Sequence, residues 1–160
     1  MRLQTLFVAA HLILLPLVWG CDLGSSPRPD PQFVKIHIRY GFGNSVNTFS
    51  GTLTKNLGLD GSVTIPFWLT TAEQDTLLSA VEVADFFTMP DTVFSIPGIA
   101  VNPNPGPQSI RIFTGQRENT VVWYFPPTNQ AIQILSTTIQ NIVESKSAYK
   151  QLPPVRGGYL

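Results

Sequence analysis

Hydrophobic and polar positions alternate with a period of two along much of the chain, then switch twice to a helical spacing. In "FVKIHIRYG", residues 33–41, Val34, Ile36, Ile38 and Tyr40 alternate with Lys35, His37 and Arg39. Period two places each set on its own side of a strand, so one face is buried and the other is wet. "GFGNS" reads as a turn, and "VNTFSGTLTKN", 46–56, as a second strand with Phe49, Gly51 and Leu53 on one side. Asp60-Gly61 is a hairpin signal because both residues tolerate positive φ. The next strand, "SVTIPFWL", 62–69, sets Val63, Ile65, Phe67 and Leu69 against Thr64, Pro66 and Trp68. Pro66 has no N–H to give to a ladder, which assigns this strand to a sheet edge.

From Thr70 the spacing becomes helical. Thr70 with Glu73, or Thr71 with Gln74, can form a capping box, and Leu77, Leu78, Val81 and Ala84 make the apolar stripe. The helix is predicted to stop near Phe86 or Phe87, ahead of Met89-Pro90. Residues 96–108 carry four prolines and read as a long loop. "SIRIFT" and "NTVVWYF" form a hairpin around "GQRE", with Ile110, Ile112, Val121, Trp123 and Phe125 as inward candidates. A second helix over "QAIQILSTTIQNIVE" buries Ile132, Leu135, Ile139 and Ile142, after Thr128 or Asn129 as its cap. The order β-β-β-α-β-β-α predicts an α+β fold: an antiparallel sheet of about five strands with two amphipathic helices on one face. Residues 33–152 form this single domain, and 153–160 an irregular tail pinned by Tyr149 and Leu152 just before it.

The first 21 residues follow a different pattern. Arg2 is followed by an apolar run from Leu6 to Gly20, shorter than a bilayer-spanning helix and ordered like a secretory signal. Val18-Trp19-Gly20-Cys21 resembles the lipobox of bacterial lipoproteins, with an aliphatic residue three before the cysteine and a small one directly before it. Trp19 departs from the pattern, which usually has a smaller residue there. The resemblance covers residues 1–21 alone. It implies that a signal peptide of residues 1–20 is cut after Gly20, and that Cys21 carries diacylglycerol with palmitate-type chains. The domain would then be held outside the cytoplasm on a membrane, by way of a tether over residues 21–32. Asp22 resembles a residue that retains some lipoproteins on an inner membrane, a rule that varies among lineages, so the membrane stays open. An ordinary cleaved signal and a short uncleaved anchor are the alternatives.

Composition narrows the chemistry. Ten Lys and Arg balance ten Asp and Glu, and charged residues make up only 12% of the chain, so no basic footprint of a nucleic-acid binder is present. Cys21 is the only cysteine, which excludes an internal disulfide and a cysteine zinc site. His37 is the sole histidine beyond the signal, no serine sits in a nucleophile elbow, and no pattern calls for a metal or cofactor. A surface reading follows for Phe87, Met89, Trp68, Trp123 and Tyr124 as a possible binding patch, with closure of the core as the plainer role for such aromatics. Glu82, Asp85 and Asp91 could support acid–base hydrolysis if a cleft brought them together; otherwise they form the wet face of a helix. The leading expectation is an envelope lipoprotein that binds or scaffolds without catalysis, its partner an envelope protein, cell-wall material or a small ligand. The other is a small hydrolase.

Overall fold

A computed structural model of the chain describes residues 33–93, 104–124 and 127–157. Cys21, Gly20, the tether, much of the proline-rich loop and Phe125 lie outside the described residues. Within them, seven strands form one mixed sheet: β1 (Lys35–Tyr40), β2 (Asn44–Asn47), β3 (Thr52–Asn56), β4 (Ser62–Pro66), β5 (Thr92–Val93), β6 (Gln108–Phe113) and β7 (Glu118–Trp123). Three helices accompany it, α1 (Thr71–Val83), α2 (Gln130–Ser145) and the single turn α3 (Ser147–Lys150). The strand order is β4-β3-β2-β1-β6-β7-β5, which puts the strand ending in Pro66 at an edge as its missing N–H requires.

The α+β class stands, while the expected five antiparallel strands and two helices need correction on three points. First, residues 46–56 are a hairpin, not one strand. Asn47 Oδ1 accepts from Phe49 N at 3.0 Å and Ser50 N at 3.3 Å, and Gly51 completes the reversal at φ 68°. Four residues, 48–51, separate β2 from β3, and the turn shifts the inward positions from even to odd numbers, so that Val46 and Leu53 pair on the same face. Second, β5 joins β7 in parallel, making the sheet mixed. Third, Ser147–Lys150, just before the expected tail, form the additional helical turn α3.

One face of the sheet carries the core. Ile36 opposite Ile112, Ile38 opposite Ile110 and Val46, and Ile110 opposite Val121 stack across four strands. They pack with Leu77 and Val81 of α1 and Ile132, Leu135, Ile139 and Val143 of α2. The other face is polar, with Lys35, His37 and Arg39 on β1, Arg111 opposite His37, and a Thr54–Thr64 hydroxyl bond at 2.8 Å. Arg111 stacks on Phe49 at 4.6 Å and binds Glu118 at 2.7 Å.

Helix α1 opens on the Thr70–Glu73 capping box. It ends at Val83, three residues before the predicted stop. Asp85 turns left-handed at φ 46° into a 3-10 turn over Phe86–Thr88. The break swings Phe86 fully into the core, whereas a continued helix would carry its side chain to the face opposite Leu77 and Val81.

Candidate functional site

The sequence-predicted surface residues do not form one patch. Phe87 is half-buried beneath the Arg117 guanidinium, 4.4 Å from its ring centroid, and meets Phe86 edge-on at 5.8 Å. Met89 is half-buried against the core, and its carbonyl accepts from Asn119 Nδ2 at 3.1 Å. Trp68 is 41% exposed and lies across Gly51, where any Cβ would collide with the indole. Tyr124 is 44% exposed, whereas Trp123 is only 3% exposed, in keeping with its inward pattern position. Glu82, Asp85 and Asp91 are all exposed. Asp85 uses its carboxylate to accept from Thr88 Oγ1 at 2.7 Å, which supports the turn after α1.

A ligand-sized concavity lies elsewhere, between α2 and one end of the sheet. It has a volume of about 600 Å³, within the range of small-ligand sites. The paired strand ends β1–β2 and β6–β7 meet here, at Tyr40 opposite Asn44 and Gln108 opposite Trp123. The turn Gly41–Phe42 completes that wall. It is held by Gln108 Nε2, which donates to Gly41 O at 3.3 Å, and by Asn56 Nδ2, which donates to Phe42 O.

The facing wall comes from α2. Asn129 caps this helix, its Oδ1 accepting from Ala131 N at 2.8 Å and Ile132 N at 3.3 Å. Beside the apolar stripe runs a second one, Gln133, Ser136, Thr137, Gln140 and Glu144, at spacings of three and four that keep it on one side. Gln133 Nε2 donates to Pro127 O at 2.9 Å and Gln140 Nε2 to Ser136 Oγ at 2.9 Å, so both amides are oriented. Tyr149 of α3 and the two prolines 105 and 127 finish the lining.

The electrostatics of this cleft are simple. Among the described residues, its lining holds no Lys, Arg or His and one carboxylate, Glu144. Burial drives the Tyr40 phenol well above its ordinary value of 10.0, and Tyr149 and Glu144 push the same way. Tyr149 is raised by burial and then by Glu144. Both phenols are therefore neutral O–H groups at any physiological pH. Glu82, Asp85 and Asp91 do not line the cleft. Among the described residues, no group of three or more His, Cys, Asp or Glu converges on a point where a metal could sit.

Trp123 is the one surface candidate from the sequence that the cleft includes. The rest of its lining was hidden by ambiguity: Tyr40 reads as core, and Gln and Thr on α2 read as an ordinary wet face. One signal was available. Across sixteen residues α2 has a single charged side chain, Glu144. Helix faces in free solvent are usually rich in Lys, Glu and Arg. No known protein family, characterised protein or solved structure matches the chain.

Proposed function

We propose that the chain is a lipid-anchored protein of the bacterial cell envelope whose domain acts by binding, with the cleft beside α2 as its ligand site. The cleft is the observation that carries the binding half of this reading. It combines a ligand-sized concavity, aromatic walls and oriented amides on rigid elements, the usual composition of a recognition site. Its single carboxylate leaves it without the pair that carboxylate hydrolysis needs. The exposed positions of Glu82, Asp85 and Asp91 add no support to the hydrolase reading. The anchoring half rests on the lipobox-like residues 18–21 and the apolar run before them. Two acyl chains or more give durable attachment, at roughly 0.8 kcal/mol per buried CH₂. A partner in the envelope, protein or cell-wall material, follows from that location.

Two measurements test the two halves. Labelling with a palmitate analogue should mark the protein, and Cys21→Ser should abolish the label; unchanged labelling would refute the anchor. A photo-crosslinking residue at Thr137, an exposed position of the cleft, should capture an envelope component that the same residue at Glu82 does not. Equal capture from both sites would refute the cleft, and cell-wall cleavage lost on Glu82→Ala or Asp85→Ala would restore the hydrolase.

A further inference from the structure

We infer that the cleft is built for an uncharged, polyhydroxylated chain, a neutral oligosaccharide; this rests on the cleft being the ligand site. Charge comes first. With no cation and one carboxylate among the described lining residues, the cleft disfavours phosphate, sulfate and carboxylate ligands and offers them no opposite charge. Lys55 sits over the Tyr149 ring at 4.8 Å, but its ammonium donates to Pro153 O at 3.0 Å and is not part of the lining.

Hydrogen-bond polarity comes second. The nitrogens of Gln133 and Gln140 are already donating to Pro127 O and Ser136 Oγ. Each amide then keeps its carbonyl oxygen as an acceptor and its second N–H as a donor. Glu144 adds further acceptor capacity, Thr137 can give or accept, and Tyr40 and Tyr149 supply O–H donors. A ligand that meets this mixture needs many groups that both donate and accept. Hydroxyl groups do so, whereas an apolar ligand would strand the amides unpaired.

Shape comes third. Gln133 and Gln140 lie two helical turns apart, about 10 Å along α2, and Glu144 extends the row to about 16 Å. A row of that length matches a chain of linked rings better than a single small molecule. On the sheet side Tyr40 and Trp123 are largely buried, and the half-buried Tyr149 of α3 is the lining ring that offers apolar surface with a polar tip. Sugar rings present the same combination, with C–H faces and hydroxyl edges.

The hydrophobic core runs from Val34 to Val143, so the chain from residue 22 onward retains all of it and can be used without the signal. The test is calorimetric titration of that chain with neutral oligosaccharides three to six rings long, alongside heparin-type sulfated oligosaccharide and spermidine. At least one neutral member should bind at sub-millimolar concentration, and the sulfated chain should not. Gln140→Ala and Gln133→Ala should each weaken binding roughly three- to tenfold, the loss of one neutral hydrogen bond, with unchanged thermal melts. Thr137→Trp, at an exposed position, should block it. Glu144→Gln should change affinity less than threefold for a neutral ligand but abolish binding of an ammonium ligand. Binding of only spermidine or only the sulfated chain would overturn the inference. So would the absence of any neutral ligand while a Thr137 crosslinker still captures an envelope component, an outcome that spares the cleft itself. Loss of both would remove the site along with its ligand.

Discussion

Gln74 is fully buried on α1, and its Oε1 accepts from Phe33 N at 2.9 Å and Val34 N at 3.1 Å. One amide oxygen thereby satisfies two backbone donors just where the chain enters β1, before any ladder partner is available. In the sequence Gln74 was a capping-box candidate, and nothing local distinguished it from Glu73. The two were separated by a contact forty residues away, with Val34. Replacing Gln74 with Leu keeps the volume and removes the acceptor, leaving Val34 N buried unpaired and Phe33 N part-buried without its partner. At about 1–3 kcal/mol for each such group, Gln74→Leu should destabilise the domain by about 2–4 kcal/mol, measured by urea unfolding. A loss below 0.5 kcal/mol, roughly the ordinary scatter of surface changes, would show that water or a shifted backbone replaces the bond.

Glu73 connects one element to another. Its carboxylate accepts from Thr70 N at 2.7 Å to close the capping box, and the same oxygen pairs with Lys146 Nζ at the end of α2. The start of one helix is thus tied to the end of the other, both packed on the same core. Glu73→Gln keeps an acceptor for Thr70 but loses the charge, whereas Glu73→Ala loses both. The expected costs are about 1 and 2 kcal/mol, given the worth of a cap and of a charged hydrogen bond. Combining Glu73→Gln with Lys146→Met should recover part of the loss; strict additivity would mean the pair contributes nothing. The capping box, the edge strand at Pro66 and the inward set of β1 were all legible because each follows from a local rule. The β2–β3 hairpin was not, because Phe49, Gly51 and Leu53 already alternate like a single strand, and only the pairing of Val46 with Leu53 shows that the inward positions shift at the turn. Nor was β5, where two residues are too few to show any period. The cleft was readable only in part. Its α2 wall is a periodic row, but that the core residues Tyr40 and Trp123 also border the cleft shows only where strand ends from two hairpins meet.

At the scale of the whole molecule, charge is divided between faces. Glu73, Asp75, Glu82 and Glu144 lie on the helices, while Lys35, Arg39 and Arg111 lie on strands of the open sheet face around His37. His37 is opposite Asn47 on β2 and Arg111 on β6, and Glu118 is engaged with Arg111. Burial, then Arg39 and Arg111, depress the His37 pKa below its ordinary value of 6.5. The unfolded chain consequently takes up a proton near pH 6.5 that the folded one still refuses, so stability is full above that pH and falls below it. The phenols work in the opposite direction. Tyr40 and Tyr149 are raised above 10.0, so the unfolded chain ionises first and stability falls as pH climbs past 10. Urea midpoints measured across pH should therefore form a plateau between about 6.5 and 10 with a decline on each side. His37→Gln should flatten the acid limb just below 6.5 without touching the alkaline one, and Tyr40→Phe should flatten chiefly the alkaline one. A decline that His37→Gln leaves unchanged between pH 6.5 and 5.5 would mean that the basic face does not depress this histidine.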